Sequence, residues 1–87
     1  NSEEFTLFQN IPNPSNGNTT IRFNLPISQN VSFLVTDIFG RCILSREING
    51  HLGINSISLS EDLSPGIYTY SIINRNNILS RTMIISE

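Results

Sequence analysis

Apolar residues recur at every second position through much of this chain, and clusters of turn residues separate the runs. Ile21, Phe23 and Leu25, for example, are separated by single polar residues. A period of two residues is that of a β-strand with one buried face. No segment carries the spacing of an amphipathic helix of useful length. The sequence therefore predicts an all-β fold.

Seven short strands account for these runs. We expect them at Leu7–Gln9, Thr19–Leu25, a strand holding Val31, Phe33 and Val35, Cys42–Ile48, Asn55–Leu59, Ile67–Ile73 and Ile78–Ile85. Turn signals lie between them at Asn10–Asn18, Gly40-Arg41, Asn49-Gly50, Pro65-Gly66 and Arg75–Asn77. Ser60–Leu63 is expected to begin one helical turn, capped by Ser60. The whole pattern predicts an antiparallel β-sandwich of about seven strands and immunoglobulin-like type.

The length of 87 residues suits one domain. We divide the chain into a linker with a weak first strand at residues 1–9 and the sandwich at residues 10–87. The polar, acidic start has no apolar segment after it and is no signal peptide. Since the chain also lacks an initiator Met, we interpret it as a piece of a longer protein whose export signal lies elsewhere.

Charge and reactive residues predict no chemistry. The five basic residues are scattered arginines, which argues against nucleic-acid binding. Cys42, the lone cysteine, is expected to be a small buried hydrophobe. His51, the lone histidine, is expected to be a solvated loop residue and not the partner of Cys42 in a catalytic pair. The acidic residues have no metal-binding spacing. We therefore expect no catalytic residue, metal or cofactor.

The aromatic residues favour a core over a binding platform. Tyr68 and Tyr70 share one strand face and are expected in the core with their hydroxyls hydrogen-bonded. Phe39 is the one aromatic residue expected to be exposed. A glycan-binding module is therefore a weaker interpretation than a structural or recognition domain.

Several motifs follow one another in a characteristic order. They are Ile11-Pro12-Asn13-Pro14 with Gly17, Thr20–Pro26, Val31–Phe33, Val35–Arg41, Leu63–Tyr70, and a last apolar strand ending in Met83-Ile84-Ile85. In this order and spacing the chain resembles the C-terminal sorting domain of type IX secretion cargo, the Por secretion system family. The resemblance runs from about Phe8 to Ile85.

The resemblance implies a non-catalytic sorting signal. It implies that the domain is recognised in the periplasm by the type IX outer-membrane translocon and its shuttle proteins. A sortase-like surface protease would then remove it from the N-terminal cargo domain of the same polypeptide. The destination would be the cell surface or the medium. The main alternative is an immunoglobulin-like accessory domain of a secreted enzyme.

The residues that match the family's motifs, together with Arg81, which can supply the charge of a family lysine from a neighbouring position, form our predicted recognition set. They are Pro12, Asn13, Pro14, Gly17, Asp37, Gly40, Arg41, Gly66, Tyr68, Arg81, Met83, Ile84 and Ile85. Asp37 is expected to accept backbone hydrogen bonds in its turn. Arg41, which has no obvious local partner, is expected to make an outward recognition contact. Arg81 stands beside Thr82, where family members often carry Lys, and alternation aims it at the opposite face.

The last strand, Ile78–Ile85, is expected to be an apolar edge. A translocon strand can add to such an edge through main-chain hydrogen bonds, and a second copy can form an edge-strand dimer there. The cleavage site is expected within residues 1–9 or just upstream.

Overall fold

Seven β-strands make up the fold of residues 4–86, the part of the chain that this computed structural model describes. The strands are β1 (Thr6–Leu7), β2 (Thr19–Leu25), β3 (Gln29–Thr36), β4 (Cys42–Gly50), β5 (Gly53–Leu59), β6 (Gly66–Ile73) and β7 (Ile78–Ile85). The all-β prediction is confirmed, and each strand overlaps its expected range. Residues 4–86 include no helix long and apolar enough to cross a membrane.

The strands form two antiparallel sheets. One sheet has the order β1-β2-β5, and the other has the order β4-β3-β6-β7. Their facing sides enclose one core, as in an immunoglobulin-like sandwich. The buried apolar side chains are Leu7, Ile21, Phe23, Leu25, Val31, Phe33, Val35, Ile57, Leu59, Tyr68, Tyr70, Ile72, Met83 and Ile85.

Alternation accounts for most of this core. Val31, Phe33 and Val35 of β3 are all buried, whereas the residues between them are only partly covered. Strands β5 and β6 alternate in the same way. Burying one such apolar side chain stabilises the fold by about 1.5–3 kcal/mol, so the inward positions of the strands supply most of the driving force for folding.

Two local predictions were wrong. Ser60–Leu63 forms no helical turn. Asn49 and Gly50 lie within β4, and the chain turns one step later at His51 and Leu52. Gly50 is buried, and a Cβ there would collide with the Leu25 side chain and lie 3.0 Å from the Gln29 carbonyl oxygen. The glycine is therefore required by close packing and not by turn geometry.

Cys42 is exposed, so the prediction that it is a buried hydrophobe was also wrong. The reason is a β-bulge. Val35 lies opposite Leu44 and Thr36 lies opposite Cys42, which leaves Ile43 as an extra residue. One extra residue reverses the facing of everything beyond it. Cys42 therefore shares the outward direction of Thr36 and not the inward direction of Leu44.

Candidate recognition end

Four of the motif segments, which lie far apart in the sequence, meet at one end of the sandwich. We call this end, formed by residues 10–18, 36–42, 64–68 and 82–86, the motif end. Ser15 forms a bridge with Ile85, and Ile85 pairs with Gly66 at the start of β6. Thr69, three residues further along β6, pairs with Thr36 beside the β3–β4 hairpin. The motif end is therefore one continuous region of the surface.

The loop of residues 10–18 is folded around two buried polar side chains. Asn10 is 1% exposed and donates to the Pro12 carbonyl and to Thr19 Oγ1, at 3.1 Å each. Ser15 is 2% exposed, and its hydroxyl accepts from the Gly17 N–H and donates to the Asn18 carbonyl. Because buried polar groups must be hydrogen-bonded, these residues fix the path of the loop. Sequence reasoning missed both, since nothing distinguishes them from the other Asn and Ser residues of the turn cluster.

The remaining motif residues of the loop are placed at its surface. Pro12, Asn13 and Pro14 are exposed, and the bonds before both prolines are cis. Gly17 has a φ of +118° and packs against the chain near the Glu61 carbonyl. The loop therefore presents its Pro-Asn-Pro segment outward while Asn10 and Ser15 hold it from within.

The hairpin between β3 and β4 is organised by Asp37. Its Oδ1 accepts from the N–H groups of Phe39, at 2.9 Å, and Arg41, at 3.0 Å. The expected turn role of Asp37 is thus confirmed. Gly40 has a φ of +80°, which a side chain would disfavour. Burial acts to raise the pKa of Asp37, but hydrogen bonds from the backbone and side chain of Arg41 and from Phe39 outweigh it and hold that pKa below its ordinary value.

Arg41 has local partners, contrary to prediction. Its Nε donates to Asp37 Oδ2 at 2.7 Å, and its guanidinium lies 5.3 Å from the centre of the Phe39 ring. Its side chain is nevertheless 72% exposed. Arg41 therefore remains on the surface, but in a fixed orientation and with its charge partly balanced by Asp37.

Exposed apolar side chains lie around this hairpin. Phe39, Ile38 and Ile67 are 76%, 71% and 54% exposed, and all three line a groove between the hairpin and residues 64–68. Ile84 lies beside Ile67 on the neighbouring strand and is 43% exposed. Phe39 was correctly predicted to be exposed. We call Ile38, Phe39, Ile67 and Ile84 the apolar patch.

The other predicted residues near the C-terminal end have structural positions. Met83 and Ile85 are core residues with 0% and 3% exposure, so Ile84 alone of this trio is exposed. Tyr68 is buried, and its hydroxyl donates to the Ser64 carbonyl at 2.7 Å, which fixes the turn before Gly66. Tyr70 is also buried, so both tyrosines occupy the core as expected and cannot form a glycan platform.

Arg81 connects the two sheets. Its Nε donates to the Leu7 carbonyl of β1 at 2.7 Å. Alternation along β7 places it on the side of Met83 and Ile85, opposite to Thr82, as the sequence predicts. Its hydrogen bond therefore closes the side of the sandwich where β1 and β7 meet.

No catalytic arrangement joins the reactive residues of the described part of the chain. Cys42 begins β4 and His51 follows its end, so about 30 Å of strand separates them. Within residues 4–86 no three His, Cys, Asp or Glu side chains are grouped as a metal site would require. The motif end thus offers a shaped surface with an apolar patch and a fixed arginine.

The structure is thus a small antiparallel sandwich in which four of the motif segments lie at one end. The profile of the family described as secretion system C-terminal sorting domain matches residues 10–86, and the chain belongs to this family. A comparison with curated proteins found no match. Domains of this family are C-terminal sorting signals for type IX secretion, and in general they are not catalytic.

Family membership also fixes the coarse setting of the domain. A sorting signal of this kind interacts with the type IX secretion machinery and is attached to a cargo polypeptide. The route leads across the outer membrane to the cell surface or the medium.

Proposed function

We propose that this chain is a non-catalytic sorting signal and that the translocon and its shuttle proteins bind its motif end. The observation that carries the proposal is the convergence of four separate motif segments on one end of the sandwich. Exposed apolar side chains grouped on a surface mark contact sites for other proteins. Here the apolar patch lies directly beside Arg41.

The direction of the chain supports the same assignment. Residues leading into the domain enter at the other end, because the Glu4 carbonyl accepts from Asn24 Nδ2 at 2.7 Å near the end of β2. Thr19, at the start of β2, marks the motif end, about 17 Å away. A cargo domain joined before Glu4 therefore leaves the motif end accessible.

Cleavage by a sortase-like protease fits a position before Glu4. Residues 1–3 lie outside the described part of the chain, but residues 4–9 are held by the fold. Leu7 is 4% exposed, the Phe8 N–H donates to the Arg22 carbonyl, and Gln9 Nε2 donates to the Thr82 carbonyl. Proteases need accessible, flexible backbone. We therefore place the proposed site before Glu4, at the start of the predicted range of residues 1–9 or just upstream.

The test is a fusion of this domain to the C-terminus of a periplasm-directed fluorescent protein. It is expressed in a host with a working type IX system and in one without the translocon. We expect fluorescence at the surface or in the medium only in the competent host. Retention in the periplasm of both hosts, with a folded fusion and a native cargo exported in parallel, would favour an accessory domain instead.

Matched variants test the surface itself. Phe39→Ser with Ile67→Ser removes apolar area from the motif end, and Leu52→Ser with Ile78→Ser removes similar exposed area from the opposite end. We expect only the first pair to reduce export, by tenfold or more, because hot-spot side chains each contribute about 2 kcal/mol. Equal export of both folded pairs would rule out the patch as the recognised surface.

A further inference from the structure

β7 is an edge strand, as predicted, but the C-terminal half of its edge is already occupied. Along an antiparallel edge strand, alternate residues direct their N–H and C=O groups away from the sheet. Ile84 and Thr82 are two such residues. The Ile84 N–H donates to Asn13 Oδ1 at 2.9 Å, and the Ile84 carbonyl accepts from the Ser15 N–H at 2.9 Å. The Thr82 carbonyl accepts from Gln9 Nε2 at 2.7 Å.

The segment of residues 9–15 therefore takes the place of a neighbouring strand. Ser15 pairs with Ile85 in parallel orientation, and the Ser86 N–H donates to the Ser15 carbonyl at 2.6 Å. We call this segment the clamp. It closes the edge from Thr82 to Ser86, so a partner strand has no free main-chain groups to pair with at Ile84 while the clamp is in place.

In the clamp, the Asn13 side chain accepts the hydrogen bond of the Ile84 N–H. In a regular sheet a backbone carbonyl of the neighbouring strand would accept it. Asn13 lies between Pro12 and Pro14 in the exposed part of the loop. The carboxamide Oδ1 supplies the acceptor for the Ile84 N–H. Only an acceptor is needed at this place, so a carboxylate of the same shape serves as well.

We propose that Asn13 is a positioning residue that holds Ile84, and with it the C-terminal half of β7, in the form that the secretion machinery recognises. The inference rests on the proposed recognition of the motif end. Ile84 belongs to the apolar patch beside Ile67, and its orientation depends on the backbone that Asn13 holds. Recognition then uses the outer face of β7 and not strand addition to this half of its edge.

The first measurement is the rate of amide hydrogen exchange at the Ile84 N–H group. The rate is recorded by NMR on the full chain. Variants are Asn13→Ala, Asn13→Asp and, as a matched control in the same loop, the exposed Asn16→Ala. We expect Asn13→Ala to speed exchange of the Ile84 amide roughly two- to tenfold, the range set by one hydrogen bond. Asn13→Asp and Asn16→Ala should exchange like the parent chain. Unchanged exchange in Asn13→Ala would overturn the proposal.

The second measurement is export of the same variants as fluorescent fusions. Asn13→Ala should export several-fold less than the parent, whereas Asn13→Asp and Asn16→Ala should match it. Gln9→Ala, which removes the donor to Thr82, should lower export in the same direction. Full export of Asn13→Ala despite faster exchange would overturn the positioning role alone. Failure of the parent fusion itself would instead contradict the proposed function.

Discussion

At the scale of single residues, Tyr70 places a polar atom inside the sandwich. Its side chain is fully buried, and its hydroxyl donates to the Phe8 carbonyl at 2.7 Å. Burial raises the pKa of Tyr70 above the ordinary 10.0, although a backbone hydrogen bond from Asn10 and the charge of Arg81 act to lower it. The folded state therefore favours the neutral phenol.

We predict that Tyr70→Phe lowers the free energy of unfolding by about 1–2 kcal/mol at pH 7, since it leaves the Phe8 carbonyl without its donor. A raised folded-state pKa means that stability is present below pH 10.0 and is lost as the pH rises above it. The variant should lose this alkaline dependence. Urea unfolding at pH 7 and above pH 10 tests both points, with Tyr68→Phe as the comparison that retains the dependence.

Asp37 and Arg41 give a second residue-scale prediction. Arg41→Ala removes the side-chain hydrogen bond and the charge attraction but keeps the two backbone N–H donors to Asp37. We expect the pKa of Asp37 to rise, because two of the contributions that lower it are lost while burial continues to raise it. The ionised Asp37 carboxylate stabilises the hairpin. This stabilisation is present above pH 3.8 and is lost as the pH falls through the folded-state pKa of Asp37.

Carboxyl NMR titration of Asp37 measures this shift directly. Arg75→Ala, in an exposed turn at the other end of β6, is the control and should leave the titration unchanged. An Asp37 pKa that does not move in Arg41→Ala would show that the guanidinium contact is not formed in solution.

At the scale of the elements, the path of β4 depends on Gly50. A Cβ at that position would collide with Leu25 and crowd the Gln29 carbonyl, which belongs to the paired strand. We predict that Gly50→Ala destabilises the domain by about 1–3 kcal/mol, the usual cost of overpacking. Thermal unfolding measures it, with the exposed neighbour Asn49→Ala as control. A melting temperature equal to that of the control would mean that the strand ends adjust freely.

The sequence predicted where the strands lie, but it did not predict the β-bulge in β4 or the residue at which β4 ends. Alternation located the seven strands because one face of each must be buried. The bulge at Ile43 left no mark in the pattern, so Cys42 was assigned to the wrong face. Asn49-Gly50 has the composition of a hairpin turn, but tertiary packing places it inside β4. At Gly50, close packing against Leu25 and Gln29 outweighs the local turn preference.

The sequence predicted several residues of the candidate site, but it did not predict that they form one surface. Motif order singled out Asn13, Arg41, Gly66 and Ile84, and the fold brings these residues to one end. The hydrogen bond between Asn13 and Ile84 spans 71 positions, a separation at which composition and periodicity carry no information. The sequence predicts only backbone hydrogen bonds for the Asp37 carboxylate. Its additional hydrogen bond with the Arg41 side chain is therefore not predicted.

At the scale of the whole molecule, the folded unit extends before the residues that match the family. Leu7 is a core residue, Phe5 packs against the core, and the carbonyls of Leu7 and Phe8 accept from Arg81 and Tyr70. A chain starting at residue 10 loses all of these contacts. Residues 4–9 are therefore part of the folded unit and not only a linker.

We predict that the fragment of residues 10–87 is less stable than the full chain by about 3–5 kcal/mol, the sum of one buried leucine and a few orphaned hydrogen bonds. Such a loss is a large share of the 5–15 kcal/mol typical of a domain. Urea unfolding of both chains measures it, and Leu7→Ala in the full chain should account for about 2–4 kcal/mol of it. Equal midpoints for the fragment and the full chain would refute the assignment of β1 to the fold.

The entry of the chain at Glu4, beside Asn24 and away from Ser15 and Ile85, has a consequence for how such proteins arise. If the secretion machinery binds the motif end, as we propose, a cargo domain joined before Glu4 lies at the opposite end and need not match this domain in shape, size or chemistry. Genetic recombination can then append it to unrelated enzymes or adhesins through a single in-frame joint, without adapting either partner.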